Sequence, residues 1–181
     1  GISMHIFVEG SSDKIFLEML CSYLNINAEY TATSGKDNLI NTVKIKKYDN
    51  PVIIFDADDD FQNSISNIKN QIEILDSTIS PKIFLFPDNE NTGNLETLLE
   101  DICIHTDIKD CFIKYKTCIQ TIAASNNKIL SLNPKSQIFA YLEAFGYKTK
   151  FKNLQDMDYR SIFNFEHEKL KPLIDFLKEN A

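Results

Sequence analysis

"NPVIIFDADDDF", residues 50–61, decides the fold. Asn50-Pro51 breaks the chain, Val52 to Phe55 is a run of β-branched and aromatic residues, and the run ends in Asp56, Asp58, Asp59 and Asp60. A strand with no polar face is buried on both sides, as strands of parallel sheets are. Acids at its carboxyl end then stand where open α/β sheets bind ligands.

A second stretch, "HIFVEGSSDKIFLEML" at residues 5–20, repeats the pattern. Residues 4–9 are predicted to form a strand ending in Glu9, with Gly10 behind it. Ser11 or Ser12 is placed to cap a helix over about 13–25, with Ile15, Phe16, Met19, Leu20 and Leu24 on one face. Residues 28–33 suit a short strand; Ser34-Gly35-Lys36-Asp37 is a turn and cap, followed by an expected helix to about Lys47. A helix is predicted over 60–77, ended by Ser80-Pro81, and "KIFLF" at 82–86 reads as another buried strand. Strands alternating with helices predict an α/β fold: an open, mostly parallel sheet with helices on both faces. Beyond residue 92 no strand is clear. Residues 94–104, 107–125, 134–145 and 166–179 look helical, and "KTKFK" at 148–152 reads as an edge strand or a basic loop. The expected organisation is an α/β core over 1–104 and a mainly helical C-terminal extension over 105–181 packed on it.

The chain has 181 residues, enough for one domain with an appendage and for a sizeable core. A net charge of -7 gives no overall field that attracts nucleic acid, so a nucleic-acid substrate needs a local basic patch or bound cations. Of the 19 basic residues 18 are lysine, and Arg160 is the single arginine, so bidentate phosphate clamps are scarce. Cys21, Cys103, Cys111 and Cys118 form no CxxC pair; buried free thiols in a reducing compartment are expected, with Cys111 and Cys118 on one helix face. No apolar run approaches the ~18 residues of a membrane span. No charged-then-apolar leader pattern is read in the first residues, Met4 is expected near the natural start, and the chain is expected to be cytoplasmic.

If the first and third strands are neighbours, at the usual ~4.8 Å, the carboxylates of Glu9 and Asp56 converge. Asp58 points from the next loop toward the same space. Packed carboxylates raise one another's pKa unless a cation sits among them. Oxygen-rich clusters of this kind suit Mg2+ or Mn2+. A third acidic stretch, "PDNENTGNLETLLED" at 87–101, follows the fourth strand. Thr92 or Asn94 can cap a helix there. Glu96 then falls in its first turn and completes the acidic site, with Glu100 on the same face.

Simpler roles compete for the outer acids. Asp13 suits a first turn favoured by the helix dipole, Asp59 and Asp60 suit solvent or a cap, and Glu100 and Asp101 a wet face. Lys36 is placed to touch phosphate from its turn. Lys148, Lys150 and Lys152, with Tyr147 and Phe151, either guide a nucleic-acid backbone or are solvated. His5, His105 and His167 are isolated, which favours structural or surface roles. A calcium loop fails, because Phe61 and Asn67 stand where Gly and Glu are needed. A haloacid-dehalogenase-type phosphatase carries its DxD after the first strand of its core. A receiver domain carries a lysine after a fifth strand that is not found.

"VEGSSD" (8–13), "FDADDD" (55–60) and "GNLETLL" (93–99) together resemble a Toprim domain, the fold of bacterial primases, type IA and II topoisomerases and OLD-family nucleases. The resemblance covers residues 4 to about 101 and is nearest to small stand-alone Toprim-like bacterial proteins. It implies an acid/base or metal-holding role for Glu9 and Mg2+ binding by Asp56 and Asp58, with Asp60 beside them. It matches Asp13 to the later acid of the OLD-like pattern and Glu96 to the further acid those nucleases supply from a helix. Phe61 stands where topoisomerases and primases have a nearby glycine. The chain also has no room for a tyrosine-bearing topoisomerase domain and no zinc-binding primase module. What the resemblance implies is Mg2+- or Mn2+-dependent phosphodiester chemistry on nucleic acid, as a nuclease; the expected catalytic set is Glu9, Asp13 and Glu96 from the resemblance, with Lys36 added from its turn. The competing expectation is a non-catalytic metal- or nucleotide-binding module acting with a protein partner.

Overall fold

The structure, a computed structural model, describes residues 3–129, 131–133, 135–147 and 158–181. The expected "KTKFK" segment, with Lys148, Lys150, Lys152 and Phe151, lies outside them.

Four strands, β1 (Met4–Val8), β2 (Ala28–Ala32), β3 (Val52–Asp56) and β4 (Lys82–Phe86), form one sheet in the order β2-β1-β3-β4. All its pairings are parallel. β1 and β3 are therefore neighbours, with Val8 opposite Ile54. The strand order reverses between them, and ligands of open α/β sheets bind in the crevice at such a switch.

Both faces of the sheet are buried, which is why β1 and β3 carry no polar face. Ile6, Val8, Ile54, Phe84 and Phe86 point to one core and Phe7, Ile53, Phe55 and Leu85 to the other. The first core is covered by α1 (Ser11–Tyr23), α3 (Leu95–Ile102), α5 (Ser136–Ala144) and α6 (Lys171–Asn180). The second is covered by α2 (Phe61–Leu75) through Ile68 and Ile72. α4 (Thr106–Ala123) buries no residue fully and forms, with α5, a wall of an apolar cavity of about 310 Å³.

Two local expectations are corrected. The helix expected after Lys36 is instead a pair of 3-10 turns, Leu39–Asn41 and Val43–Lys47. Asn38 and Thr42 explain this: the Asn38 amide donates to the Thr33 carbonyl at 2.5 Å and the Thr42 hydroxyl to the Asn38 carbonyl at 2.9 Å. Such side chains offer the backbone partners outside a helix, and the β-branched Ile40, Val43 and Ile45 add to the preference. The cap of α1 is Gly10, not Ser11 or Ser12. Ser12 is buried with no partner for its hydroxyl, and Asp13 reaches back to the Gly10 N–H at 3.0 Å.

The C-terminal segment enters the same core as the sheet. Phe163 and Phe165 lie 6.3 and 6.4 Å from Phe16, and Phe176 lies 5.4 Å from Phe84. One hydrophobic cluster thus runs across both parts of the chain. Of the cysteines, all free, Cys21 is buried, whereas Cys111 and Cys118 on α4 are exposed, against the expectation of buried thiols, because α4 buries no residue fully. Among the described residues no helix is long and apolar enough to cross a membrane.

Candidate functional site

Glu9 leaves the carboxyl end of β1 and turns across to β3, where its Oε1 accepts the Asp56 N–H at 2.8 Å. The side chain thereby closes the ladder that the strands themselves do not extend. Asp56, 8% exposed, ends β3, and its Oδ1 accepts the Leu95 N–H at the start of α3 at 2.9 Å. A carboxylate at a helix N-terminus is favoured both by the free N–H groups and by the dipole. Asn94 caps the same helix by accepting the Thr97 N–H at 3.0 Å. Asp13 and Glu96, 1% and 5% exposed, come from the first turns of α1 and α3.

These four acids form one electrostatic group. Burial, and beyond it the charges of Asp13 and Asp58, raise the Glu9 carboxyl to about 7 against the hold of the Asp56 N–H. Burial followed by Asp13 and Glu9 raises Asp56 to about 8. Asp13 and Glu96 are pushed upward as well, in both cases mainly by burial. Glu96 Oε1 is buried and has no hydrogen-bond partner.

Asp58 and Lys36 form the rim. Asp58 adopts a left-handed φ of 54°, which Asp tolerates better than most residues. Its backbone exchanges two hydrogen bonds with Gly93, at 2.7 and 2.9 Å, tying the loop after β3 to the start of α3. Gly93 has a φ of 131°, and a Cβ there would meet Pro87 Cδ at 3.1 Å, so a side chain is excluded by both conformation and space. The Asp58 carboxylate faces the Lys36 ammonium at 3.5 Å. Glu9, Lys36 and Asp58 line one cleft, and Lys36, Asp58, Asp59 and Asp60 line the adjoining one. Asp60 caps α2 through the Asn63 N–H at 3.0 Å.

Sequence reasoning missed two residues. Gln71, buried on α2, accepts the Ile40 N–H at 3.1 Å and donates to the Lys36 carbonyl at 2.8 Å, fixing the Lys36 turn. Lys135, just before α5, donates to Asp13 Oδ2 at 3.1 Å. Neither carries a signal in its own neighbourhood. The histidines make no joint site: His5 meets the Thr31 hydroxyl at 2.7 Å, His105 the Ser161 carbonyl at 3.0 Å and His167 the Lys169 N–H at 3.1 Å.

The donor set is oxygen only, buried at Glu9's partner Asp56 and at Asp13 and Glu96 and open to solvent at Asp58, with more acids than the two lysines Lys36 and Lys135 balance, which fits a hard divalent cation such as Mg2+ or Mn2+. The orphaned Glu96 oxygen and the raised carboxyls of Glu9 and Asp56 are what such an ion would relieve. Among the described residues no three His, Cys, Asp or Glu side chains form a ready-made metal cage. An ion here would therefore be held by one or two carboxylates plus waters, the usual mode for Mg2+.

Residues 3–180 match the family described as "Protein of unknown function (DUF3226)". The chain belongs to DUF3226. The match runs through both the α/β core and the helical extension. No curated protein and no solved structure matches the chain.

Proposed function

We propose that this chain carries out Mg2+- or Mn2+-dependent phosphodiester hydrolysis on nucleic acid, as a nuclease of the Toprim kind. The observation that carries the reading is Glu9 bonded to the Asp56 N–H at 2.8 Å, across the sheet's switch point and among the buried Asp13 and Glu96. Carboxylates gathered at such an edge cost stability unless they serve a ligand.

Asp56 and Asp58 are the residues that would hold the ion, with Asp60 on the outer side. A divalent ion bound there neutralises phosphate charge and lowers the pKa of a water. Glu9, with a carboxyl near 7, is suited to take a proton from water and return it at neutral pH. Asp13 and Asp58 set the field in which Glu9 titrates, and Asp13, Glu9 and Glu96 that of Asp56. Lys36, tethered at Asp58 and exposed, supplies a positive charge to an incoming phosphate.

The test uses purified protein with labelled DNA and RNA, single-stranded, nicked and duplex, and either metal. Slow cleavage of single-stranded or nicked substrate is expected, lost in Glu9→Gln with an unchanged melting curve and falling steeply with salt. Cleavage that persists in Glu9→Gln is a contaminant's. No cleavage by a protein that binds Mn2+ favours the second reading, a metal- or nucleotide-binding module acting with a protein partner. The net charge of -7 speaks for that reading, since it weakens unaided binding to nucleic acid.

A further inference from the structure

Lys135 enters the acidic site from the helical extension, 122 residues away from Asp13 in sequence. Its ammonium and the Gly10 N–H meet on one atom, Asp13 Oδ2, at 3.1 and 3.0 Å. Gly10 makes the room: a Cβ there would stand 2.9 Å from Lys135 Nζ. The Gly10 backbone is ordinary extended chain, with φ of -153°, so this glycine is needed for space and not for conformation. Burial opposes the Lys135 charge, but Asp13, Glu9 and Asp56 outweigh it and keep the ammonium protonated. Lys36, by contrast, is exposed at the rim. Beside Asp13 lies Glu96, whose buried Oε1 has no partner.

We propose that Lys135 is the second cation of this site: the carboxylates take a single divalent ion, on the side of Glu9, Asp56 and Asp58, while the Lys135 ammonium holds the place beside Asp13 and Glu96 that a second ion would otherwise fill. The inference rests on the metal-dependent reading above and deepens it. A tethered ammonium supplies half the charge of a divalent ion with no concentration dependence. It also makes the extension part of the site and not merely a cover for the sheet.

Mn2+ binding, measured by calorimetry and by loss of the free-ion resonance signal, tests this without any activity. Wild type is expected to bind one Mn2+, and Lys135→Arg likewise one. Lys135→Met, which keeps the aliphatic stem, is expected to bind two. Its first ion should be at least about tenfold tighter, the factor for removing a unit charge ~6 Å from a divalent ion even at the dielectric constant of water. Lys135→Met combined with Asp13→Asn should return to one. Two ions on wild type overturn the proposal by themselves, even if Lys135→Met fails to fold. One ion of unchanged affinity on folded Lys135→Met overturns it while leaving the metal-dependent reading intact. No Mn2+ on any variant at millimolar concentration removes that reading and the proposal together.

Discussion

A carboxylate buried without a counterion works against the fold, and Asp56 is the clearest case. Its carboxyl stands at about 8 because burial and the charges of Asp13 and Glu9 outweigh the Leu95 N–H. Asp56→Asn keeps an oxygen for that N–H and removes the charge. The variant is expected to melt at or above the wild-type temperature without metal, and to lose the upward shift that Mg2+ or Mn2+ gives wild type, since a ligand stabilises only a state that binds it. A retained metal shift, read by thermal melting, shows that Asp56 is not a ligand. The two glycines of the site should answer differently to alanine. Gly93→Ala meets both a positive φ and the Pro87 ring and is expected to cost about 2 kcal/mol or more. Gly10→Ala meets only the movable end of Lys135 and should cost less than ~1 kcal/mol while displacing the ammonium from Asp13. Urea unfolding of both variants gives the comparison.

At the scale of elements, the Lys36 turn depends on a helix that follows it by one strand. Gln71 satisfies the Ile40 N–H and the Lys36 carbonyl at once, so Gln71→Leu leaves two backbone groups to find new partners. The expected loss is about 1–3 kcal/mol. The sharper readout is local: amide exchange over residues 36–41 should rise more than in β1 or β3. Uniform exchange across the chain would mean that Gln71 stabilises the fold without organising the turn. Here the sequence misled. A run expected to be helical after a plausible cap became two 3-10 turns, because Asn38 and Thr42 bond the backbone locally and Gln71 holds the result from outside.

For the whole molecule, the carboxylate group sets the pH response. An acid whose folded pKa lies above its unfolded value binds more protons folded than unfolded, so its contribution is present at low pH and lost as pH rises through the folded pKa. Glu9, raised from 4.5 to about 7, and Asp56, raised from 3.8 to about 8, place that loss between roughly pH 4 and 8, and Asp13 and Glu96 shift the same way. In chelator the melting temperature is expected to fall over this range, and Mn2+ to remove most of the fall. A melting temperature that rises with pH in chelator contradicts the group as described. The extension is tested at the same scale. Phe16 sits between Phe86, Phe163 and Phe165, so a fragment of residues 1–104 exposes its core and should not give a cooperative transition. Phe163→Ala in the full chain should cost about 3–5 kcal/mol by the cavity it leaves.

What the sequence by itself determined is the layered α/β core and the position of its acids. Apolar runs such as Val52–Phe55 have no face for water, so they must be inner strands. An acid that follows such a run emerges at the sheet's edge whatever the rest of the chain does. That reasoning reached Glu9, Asp56 and Glu96 because each signal lies within a few residues of its cause. The tertiary structure alone decided that β1 and β3 are neighbours and that Glu9 bonds the Asp56 N–H. It also decided that Gly10 is small to admit Lys135. These depend on which distant segments pack together. A lysine meeting an aspartate 122 residues away leaves no periodicity and no motif, only a contact that the packing of α5 against α1 and α3 creates.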